Sequence, residues 1–363
     1  MKIVVYAIAK NEEEFGARWM QSMSEADQVV VLDTGSEDRT AEILRAQGAE
    51  VTVERVEPWR FDRARNRSLE LVPEDADLCV CTDLDEVFHP GWRAALEQEW
   101  VPGASRARYR YTWSFRPDGS EGVVFWTEKI HTRRGFRWVH PVHEVLEWVG
   151  EGAPGPTIAA EGVQLDHHPN PGKSRGQYLP LLELSVAEDP EDDRNLHYLG
   201  REYFYYSRWD DCIRTLLRHL ALPKAVWRDE RAASMRYIAK AWIRKGERAL
   251  GRDWYLRAAA EAPYLREPWM DLAMLLYEEG EWEGVLYCTG CALKLRERPR
   301  TYICEAEAWG SLPHDLRCQA FFHTGRLAQA LEEARMAQSL SPGDPRLAGN
   351  AALLARMAEE NRT

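Results

Sequence analysis

Through its first hundred residues the chain alternates short apolar runs with amphipathic stretches, and after that its pattern changes twice. KIVVYAIA at 2–9 is strand-length and has no polar face, while KNEEE and then Trp19, Met20 and Met23 at helical spacing predict a loop and a helix. QVVVLD at 28–33 predicts a second strand. In the TGSEDRT that follows, Gly35 permits a tight turn and Ser36 or Asp38 can cap the helix AEILRAQ, which ends at Gly48. AEVTVERV supplies a third strand, PWRFDRARNRSLEL a helix that buries Phe61, Leu69 and Leu71, and Leu78 to Cys81 a fourth, fully buried strand. Strands and helices in this order predict a parallel α/β sheet.

From about 105 to 168 the period shortens to two. RARYRYTWSF, GVVFWTEKIHTRR and FRWVHPVHEVLEWV predict antiparallel strands with half-buried Trp and Tyr. NPGKSRGQYL at 170–179 is a loop and a domain boundary, which divides the chain into 1–170 and 171–363. Beyond it the pattern is helical and repeats. Ser207, Gly246, Gly280 and Gly325 each stand four residues after a large side chain (Tyr203, Trp242, Leu276, Phe321), at intervals of 39, 34 and 45. That is close to a 34-residue helix-turn-helix unit with variable connections. In the last copy, HTGRLAQALEEARMAQSLSP, Ala330, Ala334 and Ala337 let two helices approach, and DPRLAGNAALLARMAEEN predicts a terminal capping helix.

Composition narrows the class. With 45% hydrophobic and 29% charged residues over 363 positions, the chain has the make-up of a globular protein with several cores. There is no apolar run of about 18 residues, and the start MKIVVYAIAKNEE lacks a long apolar leader, so the expectation is a cytoplasmic protein without a membrane span. A net charge of -12 argues against a general nucleic-acid binder, and an anionic substrate would need a metal or local arginines. Seven scattered cysteines fit reduced thiols. Cys288 and Cys291 lie in a helical segment without a second pair at zinc spacing, and Cys79 and Cys81 share one face of a buried strand.

Candidate chemistry gathers at strand ends. Asp83, Asp85 and Glu86 follow the fourth strand where it leaves the sheet, the edge at which open α/β sheets bind ligands. One residue separates Asp83 from Asp85, so in extended chain both carboxylates face one side and can share a hard cation. The loops after Ala9, after Asp33 and after Cys81 leave parallel strands at the same edge, which puts Asn11, Asp33, Asp83 and Asp85 on one rim, with Arg60, Arg63, Arg65 and Arg67 nearby in sequence. Two histidine groups, HPVHE at 140–144 and DHHP at 166–169, lie in the alternating region. The first has the wrong order for a zinc-protease helix, and Pro141 opposes such a helix. His143, beside Glu144, is the histidine singled out as a ligand; for the others a hydrogen-bonded role is expected.

These stretches together resemble glycosyltransferase family 2 enzymes of the GT-A fold, in particular those with tetratricopeptide repeats after the catalytic domain. AIAKNEE resembles the family's first-strand motif, VVVLDTGSEDRT its nucleoside-binding segment, RFDRARN its Arg-Asn segment, TDLDE its metal-binding Asp-x-Asp and PVHE its later His-Glu element. Leu84 departs from the small middle residue more often seen there. The resemblance implies a Rossmann-like GT-A domain over 1–170 and a helical solenoid over 171–363. It also implies transfer from a nucleoside diphosphate sugar, commonly uridine-linked, with inversion at the anomeric carbon and with Mn²⁺ or Mg²⁺.

On that resemblance, the donor would be held by Ala9, Asn11, Glu12, Asp33, Gly35, Arg65, Asn66 and Asp83, with Asp33 at the nucleoside and Arg65 at the diphosphate. Asp83, Asp85 and His143 would hold the metal, and Glu144, with Asp166 behind it, would be the catalytic base. The acceptor, a peptide, glycan or other carrier, stays open, as does a homodimer formed through the repeats. Three rivals remain. A metal-dependent hydrolase would have no use for the KNEE and DTGSEDRT loops, a repeat scaffold with an inactive transferase domain would tolerate loss of Asp85, and a nucleotidyltransferase would open on a Gly-rich basic loop.

Overall fold

The computed structural model of the chain describes residues 1–170 and 176–360, so five residues of the 170–179 loop lie outside the described residues. Two compact units are present, Met1–Phe115 with Val124–Glu188, and Arg116–Val123 with Asp189–Thr363. In the first unit β1 (Ile3–Ala9), α1 (Glu13–Ser22), β2 (Gln28–Asp33), α2 (Thr40–Ala46), β3 (Glu50–Val53), α3 (Phe61–Glu70) and β4 (Leu78–Cys81) follow the predicted order, with β3 ending and α3 beginning three residues inside the predicted stretches. β5 (Glu86–Phe88), α4 (Trp92–Glu99), β6 (Arg106–Thr112), β7 (Val124–Thr132), β8 (Phe136–Val139), β9 (Val145–Trp148), β10 (Thr157–His167) and α5 (Tyr178–Glu188) complete it.

Eight strands form one sheet in the order β3-β2-β1-β4-β7-β6-β10-β5. The pairs among β3, β2, β1 and β4 are parallel, and β7 enters antiparallel between β4 and β6. Every residue of β1 and β4 is buried, as a central strand covered on both faces requires. Ile3, Val5 and Ala7 pack with Trp19, Met20 and Leu44 on one face; Val4 and Tyr6 pack with Cys79, Cys81, Leu69 and Trp138 on the other. One pairing differs from the alternation reading: β10 runs parallel to β6, whereas β8 pairs antiparallel with β9, as expected, in a separate two-stranded sheet. An alternating pattern reports which face is buried and leaves the direction of the neighbour unspecified.

The second unit contains α6 (Asp193–Tyr205), α7 (Trp209–Ala221), α8 (Arg228–Arg244), α9 (Arg248–Glu261), α10 (Glu267–Glu278), α11 (Trp282–Lys294), α12 (Leu312–His323), α13 (Leu327–Leu340) and α14 (Pro345–Glu360). The first eight are four antiparallel pairs. At each corner one residue takes a left-handed conformation: Ser207 (φ 58°), Gly246 (88°), Gly280 (72°) and Gly325 (73°). The large residue four positions earlier accepts the hydrogen bond that closes the corner, as in Arg208 N–H to Tyr203 O at 2.9 Å and Arg326 N–H to Phe321 O at 2.8 Å. This is the Schellman closure. It explains why a large side chain and a small residue recur four apart in the sequence. The unit is a helical solenoid of helix-turn-helix pairs, ended by α14. No helix among the described residues is long and apolar enough to cross a membrane.

Candidate active site

The site lies in the first unit, at the carboxyl ends of β1, β2 and β4. Register places Ala9 beside Asp33 and Asp33 beside Val53, so the loops that follow leave from one level. They are laced together. Asn11 N–H donates to Ser36 Oγ at 2.9 Å, Glu37 N–H to Asn11 Oδ1 at 2.7 Å, and Thr34 N–H to Ala9 O at 2.9 Å. Asn11 has φ 54° and Gly35 φ 103°, and both supply the sharp turns that lift these loops off the sheet. Asp33 Oδ1 accepts from Gly35 N–H at 2.9 Å and Ser36 N–H at 2.7 Å; its Oδ2 is buried and has no hydrogen-bond partner among the described residues. Glu12 is buried, with its N–H on Thr40 Oγ1 at 2.7 Å.

A cavity of about 880 Å³ opens here, lined by Ala9, Asn11, Glu12, Gly35 and Asp83 of the expected donor residues. Trp59 and Phe61 line it too, their rings 5.1 Å apart and edge to face, as does Arg55. Sequence reasoning had not placed Trp59 or Arg55 there. The aromatic pair just ahead of α3 was their only signal.

The acidic tip of β4 is arranged differently from an extended Asp-x-Asp. β4 stops at Cys81, Leu84 turns into the core with no exposure, and the chain re-enters the sheet at Glu86. The two aspartates therefore diverge. Asp83 receives Arg65 Nη2 at 2.8 Å and Lys129 Nζ at 3.2 Å, whereas Asp85 faces His167, with Nε2 to Oδ2 at 3.4 Å. Burial resists ionisation of Asp83, but the two cations outweigh it and hold its carboxyl well below the usual range. Glu86 is buried between Lys129 Nζ at 2.9 Å, the Tyr111 hydroxyl at 2.7 Å and Asp83 N–H at 2.9 Å. Burial and the charge of Asp83 push its carboxyl up. Lys129, His167 and Tyr111 were not singled out from sequence. Each lies in an alternating strand whose sequence gives no sign of its partner, and only β-pairing brings it to the tip of β4.

Arg65 is the hub of this network, at 4% exposure. Its Nε donates to Glu144, its Nη2 to Asp83, and its Nη1 reaches Cys81 Sγ at 3.3 Å, with the guanidinium 5.3 Å from the Trp138 ring centroid. Asn66 clamps the backbone of Trp138 with two 2.8 Å hydrogen bonds, one donated and one accepted. PVHE forms a bend rather than the expected extended strand: His140 and His143 have φ 77° and 52°, and Pro141 O accepts from Phe61 N–H at 3.0 Å. Glu144 is thereby turned to Arg65, and the His143 ring lies 5.7 Å from that of Tyr178. Asp166 accepts from or pairs with His89 Nε2 at 2.8 Å and stands next to His167 on β10, so the two point to opposite faces.

Among the described residues, the group in which three metal-ligand atoms lie within 4.8 Å of one another is Asp193, His219 and Glu230 in the second unit. At the β4 tip a pair is preformed. His167 Nδ1–H donates to the Trp113 carbonyl at 3.0 Å, which leaves Nε2 facing the Asp85 carboxylate; Asp85 favours a proton on Nε2, and a cation would take that proton's place on the lone pair. An imidazole nitrogen facing a carboxylate is the donor set a divalent cation would join, so these residues fit the ion that a family 2 fold implies.

No curated protein matches the chain. Helical solved structures resemble it weakly. MamA matches at 15% identity over 45% of this chain and 86% of its own, with TM-score 0.37. YrrB, described as a TPR protein with an unusual peptide-binding site, matches at 13% identity over 49% and 84%, with TM-score 0.38. PilF of Pseudomonas aeruginosa matches at 13% over 48% and 72%, with TM-score 0.37. The model of glycosyl transferase family 2 matches residues 5–142, which run from β1 through the β4 tip to the PVHE bend. Over residues 5–142 the first unit is thus similar to glycosyl transferase family 2 domains.

Proposed function

We propose that the chain transfers a sugar from a uridine diphosphate sugar to a nucleophilic acceptor, with inversion at the anomeric carbon and dependence on Mn²⁺ or Mg²⁺. The observation that carries this reading is the unpartnered, buried Oδ2 of Asp33 beside a cavity of about 880 Å³ whose lining includes Thr34 and Gly35. With Oδ1 fixed by two backbone N–H groups, the buried Oδ2 needs a donor of its own, and the imide N–H of uracil offers one. Asn11, Gly35 and Asp83 would line the rest of the donor's path, with Trp59 and Phe61 as its apolar wall.

Asp85 and His167 would hold the cation; when bound, it would neutralise charge on the departing diphosphate. Arg65 and Lys129 supply fixed positive charge at the same tip, and their hold on Asp83 keeps that carboxylate ionised. Asp33 orients the base, and the laced loops after β1 and β2 keep water from the diphosphate's inner face. Glu144 is the base in this scheme: Oε1 is fixed by Arg65, and Oε2, with no hydrogen bond among the described residues, would accept the acceptor's proton. The helical unit would supply the surface for the acceptor, a peptide, glycan or other carrier, or for a second copy of the chain.

The test is calorimetric titration of the full chain with uridine diphosphate, with and without Mn²⁺. Binding should strengthen with the metal and weaken at least tenfold in Asp33→Asn. Equal affinity for adenosine and uridine diphosphates, or an unaltered Asp33→Asn, would refute the donor assignment.

A further inference from the structure

Outside the transferase domain, the helical unit brings together three residues that the reaction does not use. We propose that Asp193, His219 and Glu230 form a binding site for one Zn²⁺ ion. They come from three successive helices, Asp193 from the first turn of α6, His219 from the last turn of α7 and Glu230 from the first turn of α8. No local motif announces them, because the ligands are 26 and 11 positions apart and only the α6–α7–α8 packing makes them meet.

The geometry favours an ion over a simple hydrogen-bonded cluster. One ligand atom from each residue lies within 4.8 Å of the other two. His219 Nε2 and Glu230 Oε1 are 3.6 Å apart, beyond the usual reach of an N–H···O bond. Two ligands held at about 2.0–2.1 Å on a tetrahedral ion are separated by about 3.4 Å, close to what is found. His219 and Glu230 are 1% and 4% exposed, whereas Asp193 is only half-buried and so leaves an entry path. The Asp193 carboxylate makes no hydrogen bond or ion pair with the described residues, although a neighbouring guanidinium belongs to Arg194 on the same helix.

The surroundings look like the outer shell of a metal site. His219 Nδ1 is 2.9 Å from Ser234 Oγ, which is 2.8 Å from His197 Nδ1, so the ring is held with Nε2 facing the carboxylates. The second oxygen of Glu230 accepts the Tyr302 hydroxyl. Arg194 and Arg201 both lie against the nearby Tyr198 ring, at 4.8 and 4.5 Å from its centroid. Their charge opposes an ion bound by electrostatics alone, such as Mg²⁺ or Ca²⁺. It discriminates less against Zn²⁺, whose bond to imidazole is strong. The ion would tie the start of α6 to the α7–α8 corner, joining the first helical pair to the second.

The experiment uses the full chain carrying Asp85→Asn, which removes the ligand pair at the β4 tip. Zn²⁺ is titrated against a chromophoric chelator, and Co²⁺ serves as a spectroscopic probe. One equivalent of Zn²⁺ should bind, Asp193→Asn should weaken it at least tenfold, and Ser234→Ala by about tenfold through loss of ring orientation. Co²⁺ should give a visible spectrum of nitrogen and oxygen ligation. Absence of stoichiometric Zn²⁺, a thiolate-to-cobalt charge-transfer band that assigns the ion to cysteines, or unchanged affinity in Asp193→Asn would each overturn the site. Asp193 is half-buried at a helix start, so its substitution keeps the test open even where Glu230→Gln fails to fold.

Discussion

Acidification should weaken the first unit through one buried histidine. His131 on β7 has no exposure. Its Nδ1 lies 2.8 Å from the Thr132 carbonyl, which can only accept, so Nδ1 carries the proton. Nε2 then accepts from the Tyr6 hydroxyl at 2.8 Å, and the Tyr6 oxygen accepts from Trp138 Nε1–H at 2.8 Å. Every donor in this chain has one acceptor only while His131 is neutral. A proton on Nε2 would confront the Tyr6 hydroxyl with a second donor. Burial pushes the imidazole down from its ordinary 6.5 to about 4, with the charges of Arg106 and Arg133 in the same direction and the Thr132 hydrogen bond against it.

Because the folded value lies below the unfolded one, the unfolded chain takes up the proton first as pH falls. His131 therefore costs no stability above about pH 7.5, costs progressively more as pH falls through 6.5, and levels off below about 4. Between pH 7.5 and 5 the loss is about 2 kcal/mol, or about 30-fold in protection against unfolding. Full burial leaves no solvent screening to discount. Hydrogen–deuterium exchange of peptides covering β1 and β7, corrected for intrinsic rates, measures this unit apart from the helical one. His131→Gln keeps a neutral hydrogen-bonding group and should remove about that much of the pH dependence. If parent and variant lose protection equally, or if His131 titrates near 6.5, the donor chain has been assigned wrongly.

Arg65→Met should destabilise the first unit by about 3–5 kcal/mol, because Asp83 and Glu144 lose their shared cation; denaturant unfolding that shows less than 1 kcal/mol would dismiss Arg65 as the hub. Glu144→Gln should leave uridine diphosphate affinity nearly intact and slow transfer by about two to four orders of magnitude, and transfer at the parental rate would rule it out as base. Ser207→Gly should stabilise the helical unit by about 1 kcal/mol, since a non-glycine residue at φ 58° carries a steric penalty that glycine lacks. Unchanged unfolding of the α6–α7 region would show that the Ser207 side chain compensates.

Much of the framework was readable because local pattern and tertiary role coincide. β1, β2 and β4 have apolar runs that end where the strands end, and a helix start or turn residue follows each. The repeat corners were readable for the same reason: a left-handed residue and the large side chain four positions before it belong to one closure. What could not be read was pairing. The antiparallel β5–β10 ladder sets His167 opposite Glu86 and so beside Asp85, and the β4–β7 ladder brings Lys129 to Asp83. Neither contact leaves a periodic trace in the sequence. DHHP accordingly read as a pair of ordinary histidines.

The divergence of Asp83 and Asp85 follows from electrostatics as much as from backbone geometry. Three carboxylates, Asp83, Asp85 and Glu86, leave the sheet within four residues. Had the strand continued through them, Asp83 and Asp85 would stand side by side and repel each other unless an ion were always present. Burying Leu84 turns the chain and separates them, and each carboxylate then finds its own partner: Asp83 the fixed cations Arg65 and Lys129, Glu86 a shared ammonium and a phenol, Asp85 an imidazole. Of the three, only the partner of Asp85 can switch between a donor and a neutral ligand. The tip can therefore fold without metal, its negative charge balanced by Arg65, Lys129 and a His167 whose pKa burial opposes but Asp85 raises. At the same time it keeps one carboxylate and one imidazole that a divalent ion can take over. A large middle residue in Asp-x-Asp fits this arrangement, since Leu84 is the anchor that drives the turn.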